Sequence, residues 1–264
     1  MTQVMGILNV TPDSFSDGGK FSQIDKALYQ AEKMINNGAD IIDVGGESTR
    51  PDAKKISLDE ETDRVIPVIE KLITEFDVLI SIDTSKASLM SHAIAVGVNM
   101  INDVRALQEE GALEACQQAD VLVCLMHMQG TPETMQNRPE YGDILQDISL
   151  FFNKRIIACE NAGIKRERLL LDPGFGFGKT LEHNLQLLAH LPYFAHFKQP
   201  LLVGLSRKSM LGVLLNAAPV TERLHASVSA AVIAALKGAA IIRVHDVKET
   251  VEALKIVQGV QHYE

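Results

Sequence analysis

Tryptophan is absent and aromatic residues make up only 5% of the 264-residue chain, so stacking platforms for single-stranded nucleic acid are scarce. Positive charge is in the minority as well. Twenty-five Lys and Arg face 34 Asp and Glu, and a net charge of −9 argues against whole-surface affinity for nucleic acid or anionic membrane. An anionic small molecule is still admissible, because a pocket responds to local charge. No uninterrupted apolar run approaches the roughly 20 residues of a membrane span. The opening Met1–Gly6 has no basic segment followed by a long apolar one, so no secretory leader is expected. Cysteine is rare and odd in number, and Cys116, Cys124 and Cys159 show no paired spacing. A disulfide framework or structural zinc site is therefore not expected, and three reduced thiols in a cytoplasmic protein is the reading adopted. Cys124, inside Val121–Met126, reads as a small core residue.

What the chain has instead is a regular alternation. Short runs rich in Ile, Val and Leu occur at Val4–Leu8, Ile41–Ile42, Val78–Ile82, Met100–Ile101, Val121–Met126, Leu169–Leu171, Leu201–Val203 and Ala239–Ile242. They lack polar alternation, as strands buried on both faces do. Between them, helix-period stretches fall at Ile24–Asn37, Leu58–Glu75, Lys86–Val96, Glu109–Gln118, Asp143–Asn161, Leu181–His190, Thr221–Lys237 and Val247–Gln258. Eight strands alternating with eight helices predict an α/β fold, a (β/α)8 TIM barrel, forming a single domain over 1–264. A doubly wound open sheet is the competitor. It would carry a glycine-rich turn after the first strand, where this chain has Asn9-Val10-Thr11-Pro12-Asp13.

The polar residues that follow the apolar runs carry the functional signal. They are Asn9, Asp43, Asp83, Asn102-Asp103, His127, Asp172, Ser206-Arg207-Lys208 after Gly204, and Arg243-Val244-His245. In a parallel barrel all strand C-termini open on one face, where active sites are built. Asp83, Asn102, Asp172 and Lys208 together supply acceptors, an amide and a cation, a set that suits the edge of an amino-pyrimidinone heterocycle. Arg243 and His245, two apart on one strand, suit a phosphate or diphosphate. Taken alone, Asp172 before Pro173-Gly174 also fits a helix N-cap, and Lys208 a solvated residue opening a helix. Gly204–Met210 presents backbone N–H groups and positive charge to an anion. Three long segments, Val10–Ser22, Val44–Ser57 and His127–Gly142, read as loops at the barrel mouth, and the first two would carry Asp17 and Arg50 over a substrate.

Two of these segments carry a longer likeness. Asn9-Val10-Thr11-Pro12-Asp13-Ser14-Phe15-Ser16-Asp17-Gly18-Gly19 and Gly45-Gly46-Glu47-Ser48-Thr49-Arg50-Pro51 resemble two signatures of the bacterial dihydropteroate synthases. Leu171–Lys179, Ser206–Ser209 and Arg243–Asp246 continue the resemblance along nearly the full length; Asp52 departs from it, where glycine commonly follows Thr-Arg-Pro. The resemblance implies a sulfonamide-target transferase of folate biosynthesis, joining 6-hydroxymethyl-7,8-dihydropterin diphosphate to 4-aminobenzoate with loss of diphosphate. It implies that Thr49, Asp83, Asn102, Met126, Asp172, Phe177, Lys208, Arg243 and His245 meet the pterin diphosphate. It places Phe15, Arg50, Pro51, Phe177 and Ser209 around the aminobenzoate, and Asn9 on a Mg²⁺ cofactor. Asp83, Lys208, Arg243, His245 and Asp17 are the expected catalytic group. A homodimer is implied too; Val228, Val232 and Ile233 could be its interface or simply core. Three rivals stand beside this reading. A methyltetrahydrofolate-dependent methyltransferase barrel has no use for a diphosphate grip. An aldolase would use Lys208 as a Schiff-base lysine, with its pKa lowered by Arg207. A pterin-binding module would lack turnover.

Overall fold

The structure is a computed structural model describing residues 2–11, 20–48, 55–130 and 139–263, the side chains of residues 20–22 excepted. Its elements alternate as the apolar runs predict. They are β1 (Gln3–Asn9), α1 (Lys20–Asn36), β2 (Ile41–Gly45), α2 (Leu58–Glu75), β3 (Leu79–Asp83), α3 (Ala87–Val96), β4 (Met100–Asp103) and α4 (Ala112–Gln117). Then come β5 (Leu122–Met126), α5 (Ile144–Asn161), β6 (Leu169–Asp172), α6 (Leu181–Ala189), β7 (Leu202–Val203), α7 (Ser209–Leu214), α8 (Leu224–Leu236), β8 (Ile241–Val244) and α9 (Val247–Gln261). The strands pair in parallel in the order β6-β5-β4-β3-β2-β1-β8-β7. The two ends of that sheet meet at one bridge, Leu171 against Leu201, where the Leu171 N–H donates to the Pro200 carbonyl at 3.0 Å. The result is a nearly closed (β/α)8 barrel.

Local chemistry explains the element ends. Ser57 caps α2 by accepting from the Glu60 N–H at 3.1 Å, and Asp59, Glu60 and Glu61 place negative charge in its first turn. Buried Val65, Ile69 and Leu72 then form the inner stripe of that helix. Several boundaries differ from the sequence reading, most of them by one to three residues, such as α4 at Ala112–Gln117 for Glu109–Gln118 and α9 ending at Gln261 for Gln258. Helix α1 starts at Lys20, taking in the last residues assigned to the first loop. A 3₁₀ turn, Val220–Glu222, stands where the eighth helical stretch was expected to begin, and α8 itself starts at Leu224. The short helix α7 begins at Ser209, directly after Lys208, where the sequence reading has a helix opening without giving its extent.

Strand alternation divides the core into two compartments. Val4 and Leu8 of β1 pack outward with the helices, in a core that includes Ile42, Val65, Ile69, Ile80, Ile101, Val123 and Leu171. Met5, Ile41, Met100, Cys124, Leu170, Leu202 and Ile241 point the other way and fill the lumen. This plug closes the bottom of the barrel. The next inward position on each of the same strands lies two residues further on: Ile7, Asp43, Asn102, Met126, Asp172, Gly204 and Arg243. One pleat therefore separates an apolar floor from a polar chamber.

Candidate active site

Arg243 is the hub of that chamber. Its Nε donates to Asp43 Oδ2 at 2.6 Å, and Nη2 donates to Asp83 Oδ2 at 2.8 Å. Asp43 Oδ2 also accepts from the Asn102 amide at 3.0 Å, which fixes that amide's orientation. Asp43 is fully buried, and its Oδ1 has no hydrogen-bond partner. Asp43 lies in the chamber without a role assigned to it from sequence; the clue available was a carboxylate interrupting the apolar run Ile41-Ile42-Asp43-Val44. Burial and the charge of Asp43 push the Asp83 carboxyl up to about 7, against the pull of Arg243.

The opposite side of the chamber is built by β6 and the segment after it. Asp172 accepts from the Gly174 N–H at 2.7 Å, so it caps this turn, whereas α6 is capped by Thr180. Burial raises the Asp172 carboxyl, and the Lys208 charge opposes the rise. Lys208 Nζ donates to the Phe175 carbonyl and lies 4.3 Å from the centre of the Phe177 ring. Burial lowers the Lys208 amine to about 8, with Asp172 resisting the fall. Arg207 does not cause that depression. It turns to Asp246, bonding through Nε at 3.0 Å and Nη2 at 2.5 Å. Met126 is buried at the end of β5, as expected of an apolar wall. His245 Nδ1 lies 3.0 Å from Ser206 Oγ, which ties the end of β8 to the segment after β7. Ser209 opens α7 as an exposed residue.

The chamber thus holds three carboxylates, Asp43, Asp83 and Asp172, against the two cations Arg243 and Lys208. A second ion cluster sits beside it, where the half-buried Lys86 Nζ bonds to half-buried Glu47 and to buried Glu61. Arg64 donates to the Gly46 carbonyl at 2.8 Å, so Gly46-Glu47, the root of the second loop, is anchored to α2. The sequence reading assigned no role to Lys86 or Glu61. Phe15, Asp17, Thr49, Arg50 and Pro51 lie outside the described residues.

Among the described residues no three His, Cys, Asp or Glu side chains converge on a metal position. Asn9 Oδ1 and the Asp83 Cβ both approach Gly45, where a Cβ would stand 3.7 and 3.6 Å from them. A single amide oxygen at the rim fits a hard cation that brings phosphate oxygens as its other ligands. Burial holds the Cys124 thiol well above its ordinary range, as befits a core residue rather than a nucleophile.

A parallel barrel with carboxylates, an amide and a lysine gathered at its C-terminal face has the layout of a barrel enzyme's active site. The sequence matches the family described as pterin binding enzyme over residues 5–245. It is 58% identical over 256 residues to the dihydropteroate synthase of Escherichia coli (strain K12), covering 97% of this chain and 90% of that one. Among solved structures, the Yersinia pestis dihydropteroate synthase with a sulfonamide drug superposes with a TM-score of 0.94 at 58% identity, covering 99% of this chain and 94% of that one. The Burkholderia cenocepacia dihydropteroate synthase complexed with 7,8-dihydropteroate gives a TM-score of 0.91 at 44% identity, covering 100% and 92%. The chain belongs to the pterin-binding enzymes and, within them, to the dihydropteroate synthase family.

Proposed function

We propose that the chamber condenses 6-hydroxymethyl-7,8-dihydropterin diphosphate with 4-aminobenzoate, giving 7,8-dihydropteroate and diphosphate, through ionisation of the pterin C–O bond before the amine attacks. The observation that carries this reading is the pairing inside one chamber of Arg243 with the carboxylates of Asp43 and Asp83, and of Lys208 with Asp172, beside the Asn102 amide. Such a site is aimed at positive charge developing on a bound heterocycle, and its groups are fixed before the reaction starts. An aryl amine is a weak nucleophile, so a path that forms the electrophile first suits it.

Asp172 and Asn102 receive the amino and ring N–H groups of the pterin, and Lys208 meets its ring carbonyl. Met126 and Phe177 form the apolar walls. Arg243 uses two of its donors on Asp43 and Asp83, which leaves the rest of its fork for the diphosphate, with His245 beside it. Held at both ends, the guanidinium loses little freedom when the anion arrives. As C–O cleavage proceeds, Asp83 and Asp172 stabilise the cation, and Asp17 on the first loop helps to exclude water. Asn9 would hold Mg²⁺, which when bound supplies neutralisation of the leaving diphosphate charge. Thr49 serves the pterin diphosphate, and Arg50, Phe15, Pro51, Phe177 and Ser209 receive the aminobenzoate. The proton lost by the amine leaves with the diphosphate or water, so no protein base is required. The homodimer and the cytoplasmic location also belong to this reading. Val232 packs against the core, and Ile233 is the exposed member of the apolar residues considered on α8. No described helix is long and apolar enough to cross a membrane.

The test is diphosphate release from the dihydropterin diphosphate, with and without 4-aminobenzoate and with and without Mg²⁺. Release or a trapped pterin cation in the absence of amine supports the order given, and release that never precedes amine binding overturns it. Lys208→Ala should weaken pterin binding by about 10- to 100-fold, as loss of a charge-assisted hydrogen bond does.

A further inference from the structure

Lys179 lies outside every role assigned so far, yet it is the most enclosed amine in the protein's described polar groups around the site, with 4% of its surface exposed. Its Nζ lies 2.8 Å from the Gly174 carbonyl, 2.9 Å from the Phe177 carbonyl, 3.4 Å from the His127 carbonyl and 3.0 Å from His127 Nδ1. Three of these partners are main-chain oxygens, so the amine joins two stretches of backbone rather than two side chains. One stretch follows β5 and the other follows β6. Burial and the nearby Lys179 charge drive His127 down to about 2, so the ring stays neutral and its Nδ1 can accept. The ring is held edge-on to Phe151 at 4.9 Å.

The two stretches approach too closely for ordinary side chains. A Cβ at Gly174 would stand 1.9 Å from the His127 carbonyl oxygen, and one at Gly178 would stand 2.6 Å from the Gln129 carbonyl oxygen. Both glycines have positive φ, +69° and +60°. This close approach brings the His127, Gly174 and Phe177 carbonyls within reach of one buried amine, that of Lys179. Between those glycines lies the turn closed by the Phe177 N–H on the Gly174 carbonyl at 3.1 Å. That turn supplies the Phe175 carbonyl and the Phe177 ring that hold Lys208. From the far side Tyr141 donates its hydroxyl to the Gly178 carbonyl at 2.7 Å.

We propose that Lys179 is a positioning residue for the pterin site: by tying the His127 backbone to Gly174 and Phe177, it fixes the turn that seats Lys208. The proposal rests on the pterin reading of the chamber and adds to it a residue that touches no substrate. The experiment compares wild type with Lys179→Met, using calorimetric titration with the dihydropterin diphosphate and steady-state kinetics, at a temperature where both are folded. Pterin affinity should weaken about tenfold or more, the equivalent of a misplaced charge-assisted bond. The KM for 4-aminobenzoate should rise by a smaller factor than the pterin Kd, since of its assigned binding groups only Phe177 lies on this turn. An unchanged pterin Kd in folded Lys179→Met overturns the proposal, as does an equal weakening for both substrates. Should Lys179→Met not fold, Tyr141→Phe removes one brace of the same turn and should weaken pterin binding about threefold; unchanged affinity there overturns it too. A wild type that does not bind the pterin overturns the underlying reading and this proposal with it. A wild type that binds beside an unaffected variant overturns the proposal alone.

Discussion

Two layers of one lumen, a single pleat apart, do opposite work. In the lower layer Met5, Ile41, Met100, Cys124, Leu170, Leu202 and Ile241 pack as an apolar floor. In the upper layer the same strands present Asp43, Asn102, Asp172 and Arg243, with Asp83 from β3 joining them. The floor stabilises the barrel by removing side chains from water. The chamber costs stability, because carboxylates and a guanidinium are desolvated there and Asp43 Oδ1 is buried without a partner. Period-two alternation lets one sheet carry both tasks, since moving two residues along a strand changes the chemistry and keeps the direction.

The largest effect that would break this division is expected at Arg243. Arg243→Ala strands Asp43 and Asp83 without their counter-ion, and urea unfolding should show a loss of about 3–5 kcal/mol. Diphosphate release should fall with it. A variant that keeps its stability would show that the chamber charges are better solvated than their burial implies. Next in size is the floor. Leu202→Ala should cost about 2–4 kcal/mol by the same measurement, with the pterin Kd unchanged because Gly204 above it offers no side chain. A large change in that Kd would show the layers to be coupled. The third effect concerns pH. Asp83 titrates near 7 in the folded chain, well above an unfolded aspartate, so the native state holds the extra proton between those values. Stability without ligand should therefore decline as pH climbs from about 4 towards 7, and Asp83→Asn should flatten that decline. The pH profile of kcat/KM should rise over the same upper range as Asp83 ionises; a flat profile would place the working carboxylate elsewhere.

The barrel was legible because fully buried parallel strands leave uninterrupted apolar runs, and Leu58–Glu75 even kept its limits, set by Ser57 and the acidic first turn. Asp83, Asn102, Asp172, Lys208 and Arg243 were legible as strand-end residues. Their mutual arrangement was not. Arg243 read as a phosphate fork, and only the register across β2, β3 and β8 shows two of its donors committed to Asp43 and Asp83. Asp43 read as a strand-end residue like the others, but its role rests on two bonds, to Arg243 and Asn102, that join it to other strands and leave no mark in its own segment. Lys179 was beyond reach for another reason: its partners are mostly backbone carbonyls, which leave no trace in residue identity. The start of α7 was legible in Ser206–Ser209, but its six residues were too few to show where it ends.

The lone bridge from Leu171 to Leu201 makes the barrel a split ring rather than a hoop. Asp172 stands on one lip of the split, one residue beyond the bridge, and the chain leading to Lys208 leaves from the other. A heterocycle held by both residues would span that gap, and any ligand that binds only the folded barrel stabilises it by mass action.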